Sequence, residues 1–188
     1  MTTIYIEGSS DTDNGNLRKA FSLLFEKELL GCMPHIIMGD GKNQTVDKFH
    51  STPLKPNEVR FLLFDSDEAS PDKAAICMAF NNAKPNRKID ANKENTYLMI
   101  QEVEAWILSQ PQILSNVGVK CSGFKVQDVE SISKPSEKLG ELYKKSGKVY
   151  TKVREFVKIF PLLDSALLRQ SCQEYDMLIK CLKDKHKG

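Results

Sequence analysis

Apolar positions along this chain follow two rhythms. Short runs bounded by turn residues predict strands at Thr3–Ile6, closed by Glu7-Gly8, at Pro34–Met38, closed by Gly39-Asp40-Gly41-Lys42, at residues 59–65, and at Thr96–Ile100. The third of these is continuous, Phe61-Leu62-Leu63-Phe64, and runs straight into Asp65-Ser66-Asp67-Glu68. An unbroken apolar run of that length suits the interior of a parallel sheet covered on both faces. The second rhythm is helical. Leu17, Phe21, Leu24 and Phe25 recur at helix spacing before Gly31, with Asp13 or Asn14 as the candidate cap. A short helix fits Thr45–His50. Ser70-Pro71-Asp72 reads as a helix start, leading a helix from 71 to about 82 with Ala74, Ala75, Met78 and Ala79 as its apolar face. Residues 84–95 are polar and irregular, the pattern of an exposed loop, and Gln101–Trp106 opens a helix expected to end near Pro111.

Strands alternating with helices define an α/β fold with a central parallel sheet of about four strands, flanked by helices, over residues 1–112. Beyond that point the pattern is helical only. Pro135 begins a lysine-rich helix, Tyr150–Phe160 forms another, and Leu162, Leu163, Leu167, Leu168, Cys172, Tyr175, Leu178, Ile179 and Leu182 trace one long amphipathic helix. Residues 113–188 are thus expected to be a C-terminal helical extension packed on the sheet domain.

Composition adds three constraints. The five cysteines are scattered and show no C-x-x-C pair, which fits thiols in a reducing cytosol rather than a disulfide frame or zinc site. The N-terminus has no basic start or apolar core of a signal peptide, and no apolar run has the length of a membrane span, so a cytoplasmic protein without membrane attachment is expected. Charge is uneven: residues 1–110 hold 12 Lys/Arg against 16 Asp/Glu, a balance of −4, and residues 111–188 hold 15 against 9, a balance of +6. An acidic half that could hold metal is joined to a basic half that could meet phosphate or an acidic partner, although lysine-rich helices are usually just solvated faces.

Ligands of open α/β sheets bind beyond the carboxyl ends of the strands, which directs attention to the acids there. Asp65 and Asp67 are two apart, so on an extended backbone their side chains point the same way. The plain alternative is a polar turn or a cap for the next helix. Glu7 ends the first strand, and strands one and three can be neighbours in a parallel sheet. Three converging carboxylates repel one another without a cation, and hard oxygen ligands select Mg²⁺ or Mn²⁺ over zinc. Lys42 follows a glycine turn that is no Walker A loop, since Ile36 and Asn43 stand at two of its fixed positions. It could still reach a substrate phosphate. Lys144, Lys145, Lys148, Lys152, Arg154 and Lys158 could track a nucleic-acid backbone or form a solvated face.

Glu-Gly after the first strand, with Asp-x-Asp after a later apolar strand, resembles the TOPRIM domain of topoisomerases, primases and OLD-type nucleases. The block Gln101-Glu102-Val103-Glu104-Ala105-Trp106-Ile107-Leu108 resembles a bacterial, RloB-like branch of that family, and the likeness covers about residues 3–112. The turn after Glu7 departs from it, being longer and more polar, which leaves the roles of Asp11 and Asp13 open. The resemblance implies a TOPRIM-like, Rossmann-like sheet and a Mg²⁺- or Mn²⁺-dependent nuclease acting on nucleic acid, in phage defence beside an ABC-type ATPase partner. It implies Glu7 as acid/base or metal ligand, Asp65 and Asp67 as ligands, and Glu102 or Glu104, which cannot both face one way on a helix, as support. Lys42 would stabilise the transition state, and Trp106 belongs to the core. The alternative is a non-catalytic partner or regulatory subunit of such an ATPase. A haloacid-dehalogenase-like phosphatase fits poorly, because Ala69 replaces the expected Thr or Val and the Asp-x-Asp strand is not the first.

Overall fold

A computed structural model describes residues 1–10, 16–53, 55–69, 72–83, 95–124 and 128–185. Four parallel strands form one sheet: β1 (Thr2–Ile6), β2 (His35–Met38), β3 (Val59–Asp65) and β4 (Thr96–Met99), in the order β2-β1-β3-β4. The two central strands, β1 and β3, are buried along almost their whole length. Alternation along them divides the core. Ile4, Ile6, Phe61 and Leu63 face one layer, while Tyr5, Leu62 and Phe64 face the other.

The second, smaller layer is closed by α2 (Lys42–Ser51) and α3 (Lys73–Ala83) through Val46, Ile76 and Cys77. The larger layer holds α1 (Leu17–Glu26) and the helices of the C-terminal part: α4 (Glu104–Leu108), α5 (Pro111–Asn116), α6 (Pro135–Lys145), α7 (Lys152–Ile159), α8 (Ser165–Ser171) and α9 (Gln173–Asp184). Phe21 of α1 meets Phe160 edge-on at 5.1 Å, and Trp106 meets Tyr175 at 4.9 Å, so one aromatic cluster spans both halves of the sequence. The edge of β4 is covered by α9, whose Glu174 carboxylate accepts the Leu98 N–H at 3.1 Å. Among the described residues no helix is long and apolar enough to cross a membrane.

Several sequence expectations need correction. The buried face of α3 is Ile76 and Cys77 with half-buried Phe80, while Ala74, Ala75, Met78 and Ala79 are exposed. The helix is turned so that Ile76, Cys77 and Phe80 meet the sheet, and Met78, although large and apolar, is 59% exposed. The cap of α1 is Asn16, whose side chain accepts the Lys19 N–H at 2.9 Å. Asp13, Asn14, the Ser70-Pro71 helix start and the 84–94 loop lie outside the described residues. Helix α4 ends at Leu108, near Pro111 as expected, and Pro111 then starts a further helix, α5, as its missing N–H allows at a first helical position. The long C-terminal helix is two helices, broken at Cys172, which is extended at φ −130° and ψ 100°. Helix α2 reaches from Lys42 to Ser51, longer than expected.

Candidate active site

In the order β2-β1-β3-β4 the chain leaves β1 for one side and returns to the other at β3, so the crevice beyond the ends of β1 and β3 is the switch point where ligands of such sheets bind. Glu7 directly follows β1, and Asp65 is the last residue of β3. The Glu7 N–H continues the ladder to Leu63 O at 2.9 Å, and the Asp65 N–H donates to Glu7 Oε2 at 3.0 Å across 58 residues of sequence. Gly8 then turns the chain over α1 at φ +143°, where an added Cβ would come 2.6 Å from Leu17 Cδ2. Gly39 is equally constrained: a Cβ would collide with Thr45, whose hydroxyl donates to Gly41 O. This packing lets the end of β2 fold back, so that Asp40 N–H donates to Gly8 O at 2.8 Å. Glu7, Gly8, Ser9, Asp40, Asp65, Val103 and Lys152 thereby line a single cleft of about 290 Å³.

Asp65 is 7% exposed, with Oδ1 accepting the Val103 N–H at 2.9 Å and Oδ2 lying 3.7 Å from Lys152 Nζ. Burial drives its pKa well above the usual carboxylate range, with Lys152 opposing that shift and the Glu7 and Glu104 charges adding to it. Glu7 is raised for the same first reason, partly offset by the Asp65 N–H and by Lys42 and Lys152. Asp40 is exposed, and contacts with Lys48 and Ser10 hold it down to about 2. Lys152, the first residue of α7, also stands 3.1 Å from Oε2 of the fully buried Glu104, whose Oε1 accepts the Tyr150 hydroxyl at 3.0 Å. Partial burial would depress the Lys152 ammonium, but Asp65 and Glu104 outweigh it and leave its pKa raised. Tyr150 is raised by burial first and by Glu104 second.

The expected ligand set assembles only in part. Asp67 does not share the direction of Asp65, because β3 ends at Asp65 and Asp67 turns left-handed at φ 60°. That turn is fixed to the one after β4: Asp67 N–H donates to Gln101 O at 2.8 Å, and Gln101 N–H to Ser66 Oγ at 2.7 Å. The Asp67 side chain is 64% exposed and pairs with Lys42. Glu102 turns away to accept the Ser136 N–H at 2.7 Å, capping α6, while Glu104 is the acid of that pair that meets Lys152, fully buried. Among the described residues no group of three or more His, Cys, Asp or Glu side chains could hold a metal ion.

Two carboxylates nevertheless meet the needs of one kind of ion. Mg²⁺ uses one or two carboxylates, with water and substrate phosphate completing its shell. Glu7 and Asp65 are the pair that would be available to such an ion, and with Glu104 they would carry three negative charges, when ionised, with Lys152 and Lys42 as the nearby ammonium groups. Sequence reasoning placed Lys152 in a basic cluster and passed over Tyr150 and Asp40. Nothing in a lysine-rich helix start marks one lysine as turned inward. All six residues of that cluster are exposed, as a solvated face would be, with Lys148 bonded to Val117 O and Lys158 paired with Glu155.

A family model described as a domain of unknown function, DUF4276, matches residues 9–183, from just after Glu7 through Asp65, Glu104 and Lys152 to the end of α9. No curated protein and no solved structure matches the chain.

Proposed function

We propose that this chain, which belongs to the DUF4276 family, is a Mg²⁺- or Mn²⁺-dependent nuclease that hydrolyses phosphodiester bonds of nucleic acid. The observation that carries the reading is the meeting of Glu7 and Asp65 at the ends of β1 and β3, in a cleft open to solvent. A divalent ion held by Glu7 and Asp65 would supply Lewis acidity and an activated water. The chain's own residues do the positioning. The Asp65 N–H orients the Glu7 carboxylate, and the Val103 N–H fixes Asp65. Lys42 and Lys152 both lower the Glu7 carboxyl pKa, and on this reading their ammonium groups would stabilise a phosphate bound beside it. The TOPRIM resemblance of these same acids supports the reading, and a role in phage defence with an ATPase partner is proposed on that resemblance alone.

Asp65→Asn tests it, since the amide keeps the size and an acceptor for Val103. Metal-dependent nicking of plasmid DNA, or cleavage of single-stranded RNA, should fall at least about a hundredfold, more than loss of an outer partner of a metal site costs. Full activity in this variant would refute the assignment.

One observation favours a different reading. Lys152 already meets Asp65 and Glu104, as a structural ion pair would. On that view the chain is a non-catalytic partner subunit of an ABC-type ATPase. Stable co-purification with such an ATPase, combined with no cleavage under any metal condition, would select it.

A further inference from the structure

Three features around Lys152 belong together. Its ammonium reaches both Asp65 at 3.7 Å and the buried Glu104 at 3.1 Å, and Lys152, Asp65 and Glu7 line the same cleft. Its backbone is placed by contacts that do not involve the ammonium: Tyr150 bonds Glu104, and one turn along α7 the Glu155 carboxylate accepts the Tyr143 hydroxyl of α6 at 2.8 Å. Its side chain is still 44% exposed, so the ammonium has a way out to water that the buried carboxylates lack. The chain has thus placed a cation of its own among these acids, on a tether anchored independently of it.

We infer that Lys152 is the resident cation of this acid cluster and gives way to a divalent ion, neutralising Asp65 and Glu104 until the ion arrives and then releasing Asp65 to it. The inference rests on the metal-binding reading of Glu7 and Asp65. Its physical basis is exclusion by charge. A unit charge within about 4 Å of a carboxylate interacts strongly where the effective dielectric is well below that of water, and a divalent ion on the same carboxylate would meet the ammonium at similar range as repulsion. One carboxylate cannot hold both at full strength. Without either, Asp65 and Glu104 would be buried charges with no counterion.

The test is Mn²⁺ binding by calorimetry and by electron paramagnetic resonance, on the full chain and on Lys152→Met and Lys152→Arg. Removal of the ammonium in K152M should tighten Mn²⁺ at least about tenfold, the direction set by the lost repulsion, while K152R, which keeps the charge, should stay near the parent value. Metal-free K152M should also melt lower than the parent, with Mn²⁺ recovering most of the difference. A second measurement needs no variant: acetylation of Lys152 in the unaltered protein, followed by mass spectrometry, should speed up when Mn²⁺ frees the ammonium. Equal or weaker binding in K152M overturns the inference and leaves the metal site standing, as does unchanged or slower acetylation of Lys152 in protein that binds Mn²⁺. Absence of Mn²⁺ binding in every form removes the metal site and the inference together.

Discussion

Glu130 sits in a single 3-10 turn at Val129–Ser131, half-buried, with Asp128 and Glu174 adding negative charge around it. Burial first, and those two charges second, push its carboxyl up to about 7 from the ordinary 4.5. The folded state therefore keeps a proton that the unfolded chain releases. Stability from this group is fully present below pH 4.5, falls as pH rises, and is lost once pH passes about 7. Glu130→Gln removes the titration, so its melting temperature should exceed that of the parent by little at pH 4.5 and by a growing margin up to pH 7.5, a gain of a few degrees for a group of this kind. A difference that stays constant across that range would contradict the account. Legibility at this scale depends on whether a residue's environment is local. Glu7 and Asp65 could be found because each ends an apolar strand, and strand ends of a parallel sheet share one edge. Asp67 was misjudged because period-two reasoning holds only while the strand lasts, and the left-handed turn follows from bonds to Gln101, thirty-odd residues on. Lys152 was invisible because the acids that turn it inward are distant in sequence.

Elements were recovered where burial follows periodicity. Strand β3 was predicted with its observed limits, and α1 buries the four apolar residues that its spacing selected. The misses share a cause. The spacing from Leu168 through Cys172 to Tyr175, Leu178, Ile179 and Leu182 is helical throughout, so the break between α8 and α9 leaves no mark in the pattern. Asp164, accepting N–H bonds from Ala166 and Leu167, shows that α8 has its own start, a signal present in the sequence and not used. The α6–α7 hairpin makes the connection between elements that matters most here. Tyr150, at its tip, is the hydroxyl partner of Glu104 at the start of α4. Tyr150→Phe leaves one oxygen of a fully buried carboxylate without its donor, a loss of about 1–3 kcal/mol in unfolding free energy by urea titration. It should also loosen the seat of Lys152, so faster exchange of the amides near residue 152 should accompany the destabilisation. A change below about 0.5 kcal/mol, within the ordinary surface range, would show that Glu104 finds another partner.

Across the whole molecule, the acidic and basic halves of the sequence meet at two places. The basic half delivers a lysine into the acidic half's cleft, and the two halves are joined again on the far side of α1. There Lys27 donates to the carbonyls of Pro161 and Leu163, and Glu28 pairs with Arg169 and Lys183. Beneath these contacts Phe21, Trp106, Phe160 and Tyr175 form one aromatic cluster drawn from both halves. Without residues past 112, α1 and the face of the sheet beneath it would lose that cover, exposing several large side chains that are fully buried in the intact fold. Burying each such side chain is worth about 1.5–3 kcal/mol, and two or three together rival the total stability of an ordinary domain. The fragment 1–112 should therefore show no cooperative thermal transition. The single tryptophan, Trp106, should fluoresce in it as a water-exposed indole. In the full chain, by contrast, tryptophan emission and far-ultraviolet circular dichroism should report one coincident unfolding transition. A fragment that melts cooperatively with a buried tryptophan would make the helices an appendage after all, and the lysine in the cleft a contact between two separable bodies.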